Sequence, residues 1–298
     1  IIAFILLATI VFPSNPAKAE PLPPTIDQPA SVDSDSSSIQ FIGCGPVYLQ
    51  AVNAAFEQQV VELVNIERSN AGLPPLKRFD ALEAAARYHA KDMAVDQYFS
   101  HDSYDAGNSW VCNCFTRMKS FYPGGGWMGE NIAAGFSTPA SVMQGWMDSQ
   151  GHRENILNPH YREIGVGYYA GGPWSHYWVQ DFGEQSNSYP IVIDQEKAVT
   201  EVPQVELYLY GKGTWNEMQL KNDSDAWSEW KPFAENVQWQ LDWVQGIHTV
   251  SVELRASGQT YAGASASDNI ELTSSGSELG NLPDTINYVY NLKTHELL

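Results

Sequence analysis

The chain has 298 residues, of which 43% are hydrophobic, so it carries enough apolar material for a folded core, and its length predicts two domains with additional segments. Asp and Glu outnumber Lys and Arg by 35 to 16, which gives a formal net charge of −19 at pH 7. Such a surface repels phosphate backbones and anionic lipid headgroups, so the composition argues against a nucleic-acid partner.

The N-terminal segment predicts export. An apolar run, IIAFILLATIVF, is followed by PSNPAKAE, in which Ala17-Lys18-Ala19 has the A-x-A pattern of a signal-peptide cleavage site. We interpret residues 1–19 as a signal peptide whose start is missing, because neither a Met nor a basic segment precedes the run. The alternative is an N-terminal membrane anchor, for which the run is short. We expect a secreted, extracellular or cell-envelope protein without a stable transmembrane span after cleavage.

Residues 20–50 are predicted to form a linker and N-terminal segment, because their first half is rich in Pro, Ser and Asp. The chain has three cysteines, Cys44, Cys112 and Cys114. A bridge from Cys44 to either of the other two would tie this segment to the following domain. The alternative is three unpaired thiols, and the sequence alone leaves the pairing open.

Helices dominate the first part of the predicted domain at residues 51–187. Apolar residues at helical spacing predict a helix from about residue 51 that ends at Asn70-Ala71-Gly72. A second helix is predicted to begin at Asp80, where Asp80 and Glu83 have the spacing of a capping box, and to end near residue 97.

The second part of this domain is predicted to add two further helices and then strands. A short helix is expected around residues 115–121. The next helix is predicted to begin with Thr138 as N-cap and Pro139 as its first residue, and to end at Gly151. Strand-like runs follow, at Ile164–Tyr169 and from Tyr177 to Gly183. Helices followed by nearby strands predict a layered α/β (α+β) domain with an antiparallel sheet.

The pattern changes after about residue 188. Short runs with period-2 alternation, such as VELYLY at 205–210 and TVSVELRA at 249–256, predict a small all-β sandwich over residues 188–272. Residues 273–298 are interpreted as a C-terminal tail or an extra strand.

Three ionisable residues come at the ends of predicted elements in the first domain. His101 follows the second helix, Glu130 lies in GENIAAG, and His152 lies in GHRENILNP. Two imidazoles and a carboxylate can bind a divalent cation such as zinc. Without an H-x-x-x-H or C-x-x-C motif, spacing alone leaves the alternative that each histidine is a hydrogen-bonded structural residue.

The order FSH … GENIAAG … WMDSQGHRENILNPHYREIGVGYY … YWVQDFG resembles the CAP superfamily (cysteine-rich secretory proteins, antigen 5, pathogenesis-related 1) in its bacterial SCP-like form, over roughly residues 55–185. The resemblance implies a three-layer α-β-α sandwich with an open groove lined by two histidines and two glutamates, which bind a divalent cation in some members. His101, Glu130 and His152 match three of these four positions. Ser149 stands at the fourth, and the neighbouring Asp148 is offset by about 100° around the helix.

The run EMQLKNDSDAWSEWKPF … VQWQL … GIHTVSVELRASGQ resembles the Ig-like or fibronectin-like modules of bacterial secreted proteins. We expect this second domain to act as a spacer rather than as a carbohydrate-binding domain, because the fold alone does not define a function.

The leading functional prediction is a non-enzymatic extracellular binding module. Its partner is expected to be an extracellular small molecule, a lipid or sterol, or an envelope component, with a divalent metal as an optional part of the site. The first alternative is a hydrolase in which His101, Glu130 and His152 activate water directly or through a metal, with Ser149 as the candidate nucleophile. The second is an interaction module of the cell envelope. The sequence contains no G-x-S-x-G, Walker or dinucleotide motif.

Overall fold

The computed structural model of the protein describes residues 44–274, together with the backbone of residues 5–7, 290–291 and 296–297. The rest of the predicted signal peptide, the linker before Cys44 and the tail beyond residue 274 lie outside the described residues. Among the described residues, no helix has both the length and the apolar character needed to cross a membrane.

The first unit has a mixed α+β fold. Its elements, in chain order, are β1 (Ile5–Leu7), α1 (Ala54–Asn70), β2 (Lys77–Arg78), α2 (Asp80–Val95), β3 (Ser103–Asp105), β4 (Ser109–Cys112), α3 (Cys114–Phe121), β5 (Met128–Ala134), α4 (Pro139–Asp148), α5 (Gln150–Ile156), β6 (Glu163–Ala170) and β7 (His176–Gly183). The main sheet has the strand order β1-β5-β7-β6-β2, in which β7 runs antiparallel to both of its neighbours and β2 is parallel to β6.

Both faces of this sheet are covered by helices. One face contributes Trp178 and Phe182 to a core that includes Val64 of α1, Trp146 of α4 and Ile156 of α5. The opposite face packs against the alanine-rich side of α2. The predicted helices and the antiparallel sheet are therefore confirmed as a mixed α+β arrangement.

Helix α2 lies very close to β6 because two residues of the strand lack side chains. A Cβ added at Gly165 would lie 2.1 Å from the backbone nitrogen of Glu83, and one added at Gly167 would lie 2.2 Å from the carbonyl carbon of Ala86. Any side chain larger than hydrogen at these positions would push the helix away from the sheet.

The start of α2 differs from the prediction in its capping. The helix does begin at Asp80, but its N-cap is Phe79, whose side chain has no oxygen to accept a backbone hydrogen bond. The capping box predicted for Asp80 and Glu83 is therefore wrong. Glu83 instead forms ion pairs with Arg78 and with Arg87, the latter at 3.0 Å. Two guanidinium groups attract a carboxylate more strongly than one backbone N–H does.

The helix predicted over residues 138–151 is two helices. Thr138 and Ser141 cap the start of α4 reciprocally, and Pro139 is its first residue, as predicted. Gly151 does not end the helix, so that prediction is wrong. The break falls at Ser149, whose backbone is extended (φ −92°, ψ 119°), and Gly151 lies inside α5. Gly151 makes no left-handed turn there, which is the conformation that makes glycine a helix terminator.

The second unit follows residue 188. Its elements are β8 (Ile191–Ile193), the 3₁₀ turn η1 (Asp194–Glu196), β9 (Val199–Thr200), β10 (Gln204–Leu209), β11 (Glu217–Asn222), β12 (Lys231–Pro232), β13 (Asn236–Gln240), β14 (Gly246–Arg255) and β15 (Ala264–Leu272). Two sheets, with orders β13-β10-β8 and β12-β11-β14-β15-β9, contribute side chains to one buried cluster. Beyond them, β16 (Tyr290–Asn291) pairs with β17 (Glu296–Leu297).

The two units are joined through η1 and one lysine. All three residues of η1 have a positive φ, between 42° and 67°. The turn is held against α1 by Asn65, whose side-chain amide donates to the carbonyl of Gln195 at 2.9 Å. Lys77 of the first unit forms ion pairs with Glu196, at 2.6 Å, and with Asp268 of β15. We call these two ion pairs the Lys77 bridge.

A disulfide joins Cys44 to Cys112, with 6.0 Å between the Cα atoms. The structure therefore selects one of the pairings that the sequence left open, and the bond fastens the N-terminal segment to the end of β4, just before α3. Cys114 remains a buried thiol, and burial raises its pKa, so it stays protonated near neutral pH.

Candidate functional site

His101 and Glu130 form a direct hydrogen bond. His101 lies in the loop after α2. This loop is held by His89 of α2, whose Nε2 donates to the carbonyl of Ser100 at 2.9 Å. His101 Nδ1 lies 2.8 Å from Glu130 Oε1 in the middle of β5. Because a carboxylate only accepts, Nδ1 must carry the hydrogen, so this contact fixes the orientation of the imidazole.

The second oxygen of Glu130 accepts from the guanidinium of Arg117 on α3. Arg117 also donates to the carbonyl of His101, at 3.0 Å, and to Ser103 Oγ, at 2.9 Å. Both Arg117 and Glu130 are completely buried. Arg117 thus fixes the carboxylate and the histidine loop together, and it balances a charge that would be costly to bury alone.

Asp181 is the cross-strand neighbour of Glu130 and is also completely buried. Burial, and then the neighbouring Glu130 carboxylate, raise the pKa of Asp181 well above its usual value. Burial acts in the same direction on Glu130 and is the largest single influence, but Arg117, His89 and His101 together outweigh it, so the pKa of Glu130 is lowered. Folding therefore moves the two carboxyls in opposite directions, favouring the charged form of Glu130 and the neutral form of Asp181.

Ser149 and His152 form the second half of the predicted site. Ser149 Oγ lies 2.7 Å from His152 Nδ1, and this contact spans the break between α4 and α5. The sequence left open whether these side chains meet, and the structure shows that they do. Asp148, by contrast, is exposed and accepts from Gln144, so it does not replace the missing glutamate.

The asparagines of β5 and α5 fasten the second pair to the strand that carries the first. Asn131 Nδ2 donates to the carbonyl of His152 at 3.1 Å, and Asn155 Nδ2 donates to Asn131 Oδ1 at 2.9 Å. Successive side chains of a strand point to opposite faces, so Asn131 faces α5 while Glu130 faces α3. The two predicted histidines therefore approach β5 from opposite sides.

The predicted metal ligands do not form a ready-made set. Within residues 44–274, no group of three or more His, Cys, Asp or Glu residues is placed so that it could hold a metal ion. His101 and Arg117 already occupy the two oxygens of Glu130. The donors as arranged do not fit a tightly bound cation, and zinc binding by His101, Glu130 and His152 stays a prediction.

Sequence reasoning missed Arg117 and assigned no role to Asp181. Arg117 could have been suspected because its helix, CFTRMKSF, places it on the same face as Cys114 and Phe121, which are buried. The pairing of Arg117 with Glu130 has no sequence signal, since the two residues lie on different elements 13 residues apart.

Comparison with known proteins identifies a family for the part of the chain that carries this site. The model of the CAP family, described as the cysteine-rich secretory protein family, matches residues 61–182. The chain therefore contains a CAP domain, which includes every residue of the site described above. The match ends before β8.

Bacterial proteins are among its relatives. It is 44% identical over 129 residues to the uncharacterized protein YkwD of Bacillus subtilis (strain 168), covering 43% of this chain and 47% of that protein. It is 31% identical over 116 residues to the uncharacterized membrane protein YlbC of the same strain, covering 39% and 32%. A crystal structure of an extracellular protein containing a SCP domain, from Bacillus anthracis str. Ames, is 34% identical, with a TM-score of 0.40, covering 45% of this chain and 42% of that one. The chain spans less than half the length of each.

Proposed function

We propose that the protein is secreted and that its CAP domain is a non-enzymatic module that binds an extracellular small molecule, lipid or envelope component. The observation that supports this proposal is the internal pairing of Glu130, whose two oxygens accept from His101 and from Arg117. The mixed fold is then the three-layer α-β-α sandwich implied by the resemblance, with the site at β5.

A general base must accept a proton at the pH at which it works, which requires a pKa close to that pH. Glu130 has a lowered pKa and is completely buried, so it is unsuited to that task. The side chain of His101 is 19% exposed, so it is the member of this pair that a ligand can contact. Glu130 and Arg117 then act to hold His101 in one orientation, which reduces the entropy lost on binding.

The proposal is tested by native mass spectrometry of the full chain purified from culture medium. We expect a small molecule to be retained by the wild type and lost from the His101→Ala variant. Glu154→Gln is the matched control, because Glu154 is exposed on α5, where it accepts from Gln150. Retention by the His101→Ala variant, or an empty wild type that also fails to bind extracted envelope lipids, contradicts the proposal.

Secretion itself has a separate test. N-terminal sequencing of the protein recovered from the medium should begin at Glu20, directly after the Ala17-Lys18-Ala19 motif. A protein that stays with the membrane fraction and keeps its apolar run contradicts export with cleavage and favours the membrane anchor.

One contact favours a second function, a serine hydrolase. Ser149 Oγ lies 2.7 Å from His152 Nδ1, which is within reach for removal of the hydroxyl proton by the imidazole. A fluorophosphonate probe distinguishes the two functions. Labelling of the wild type that is lost in both Ser149→Ala and His152→Ala supports the hydrolase. An unlabelled wild type leaves this contact as a structural one that bridges α4 and α5.

For residues 188–272 we propose an Ig-like or fibronectin-like β-sandwich that acts as a spacer. This proposal is supported by the two sheets that share one buried cluster and by the Lys77 bridge, which attaches the module to the CAP domain.

A further inference from the structure

Exposed apolar side chains are concentrated at one end of the second unit. Trp243 is 79% exposed and Ile247 is 74% exposed, and both lie where the chain passes from β13 into β14. Val244 lies between them in the chain. Val202 is also exposed, and it directly precedes Pro203, whose carbonyl accepts from the N–H of Leu241. We call Val202, Trp243, Val244 and Ile247 the apolar end. Clustered apolar side chains of this size on a folded surface mark interaction sites.

The loop that carries Trp243 and Val244 is held in place by a buried histidine. His248 Nδ1 lies 2.9 Å from Asp223 Oδ2, and its Nε2 lies 2.6 Å from the carbonyl of Val244. Both partners are acceptors, so both ring nitrogens must donate, and the ring is an imidazolium in this arrangement. The apolar side chains are therefore presented outward by a fixed loop.

Acidic residues surround this surface. Asp242 precedes Trp243 in the chain, Glu201 precedes Val202, and Glu271 is the cross-strand partner of Ile247. All three carboxylates are exposed. A partner with an apolar centre and basic residues around it would match both the apolar character and the charge of this surface.

We propose that the apolar end is a docking surface for a basic protein segment that presents apolar side chains. The same carboxylates, and the net charge of −19, repel anionic lipid headgroups. They also oppose the apposition of two copies of the chain through this end, because like charges would face each other. Trp243 is the expected anchor, since tryptophans in interface centres contribute most to binding.

The proposal is tested with a synthetic peptide of alternating leucine and lysine, titrated by fluorescence anisotropy into the full chain at low and at moderate salt. We expect the wild type to bind and the Trp243→Ser/Ile247→Ser variant to bind about tenfold or more weakly. Asp242→Asn/Glu271→Gln should weaken binding chiefly at low salt, so that its affinity depends less on salt.

The matched control is Tyr261→Ser, which removes an aromatic side chain that is 71% exposed. Tyr261 lies in the turn at the opposite end of the β14–β15 hairpin, about 27 Å away by strand length, so its loss should leave the affinity unchanged. Thermal unfolding of each variant confirms that it is folded.

Four results would overturn the proposal: no binding of the peptide to the wild type, equal binding to the Trp243→Ser/Ile247→Ser variant, equal binding of oligolysine, or tighter association with neutral phosphatidylcholine vesicles than with the peptide. Self-association that is abolished by the same double substitution would assign the surface to a second copy instead.

Discussion

Replacing Arg117 by Met should destabilise the CAP domain strongly. The substitution keeps an apolar stem of similar length but removes the donors to Glu130 Oε2, to the carbonyl of His101 and to Ser103 Oγ. Removing one member of a buried ion pair costs about 3–5 kcal/mol, because the remaining charge stays buried without compensation. Arg117 and Glu130 are both completely buried, so solvent screening does not reduce this figure.

The assay is native-state hydrogen exchange followed by mass spectrometry on peptides that cover β5. This readout isolates the CAP domain, whereas an unfolding curve of the whole chain would combine two units. Glu130→Gln provides the other half of a double-mutant cycle. The double variant Arg117→Met/Glu130→Gln buries no charge at this pair. Its decrease in the free energy of unfolding should therefore be smaller than the sum of the decreases for the two single variants, by about 2 kcal/mol or more.

Additive losses in this cycle would refute the reasoning, because they would mean that Arg117 and Glu130 do not stabilise each other. If Arg117→Met lowered the free energy of unfolding by less than about 1 kcal/mol, the reasoning would be refuted as well, because burying the Glu130 carboxylate without its partner should destabilise the fold by more than that.

The remaining predictions concern other parts of the chain. Asp181→Asn should raise the stability of the CAP domain relative to wild type by an amount that grows as the pH rises above about 4. The reason is that a carboxyl whose pKa is raised by folding costs stability once it ionises in the unfolded state, and a pH-independent difference would contradict this. Folding raises the pKa of His248, so its stabilisation should be complete below about pH 6.5 and should be lost as the pH rises through the pKa of the folded state. The loss should appear as faster amide exchange of residues 242–247. In the His248→Gln variant these amides should exchange fast at every pH. Gly165→Ala should cost about 3 kcal/mol, measured by the same exchange assay on α2, since the added Cβ meets backbone atoms that cannot move independently. Reduction of the Cys44–Cys112 disulfide should cost about 2–4 kcal/mol in thermal unfolding, and an unchanged Tm would mean that the N-terminal segment is held by its packing alone.

Helix positions were predictable from sequence where local chemistry alone determines them. Thr138 and Pro139 define the start of α4 through bonds within one turn, and the prediction is confirmed. The capping box at Glu83 failed because that carboxylate has partners before and after it in the sequence, Arg78 and Arg87, which compete for it once the chain folds. Local pattern does not decide such a competition.

The site was predictable in its members but not in its grouping. The resemblance placed His101 with Glu130, and the two are in contact. It did not indicate that His152 would be paired with Ser149 on the other side of β5, because that depends on a helix break at Ser149 rather than at Gly151. The buried partners Arg117 and Asp181 become visible only when α3 and β7 are packed next to β5.

The Lys77 bridge limits how the whole molecule can move. Glu196 lies before β9 and Asp268 lies in β15, so Lys77 forms ion pairs with two residues of the second unit that are 72 positions apart in sequence. A separate hydrogen bond attaches η1 to α1. A hinge requires a single flexible connection, whereas attachments on several elements suppress rotation about any one of them. We expect the CAP domain and the β unit to tumble as one particle in solution. The orientation of the apolar end relative to His101 is then fixed in the folded protein and does not change by domain rotation.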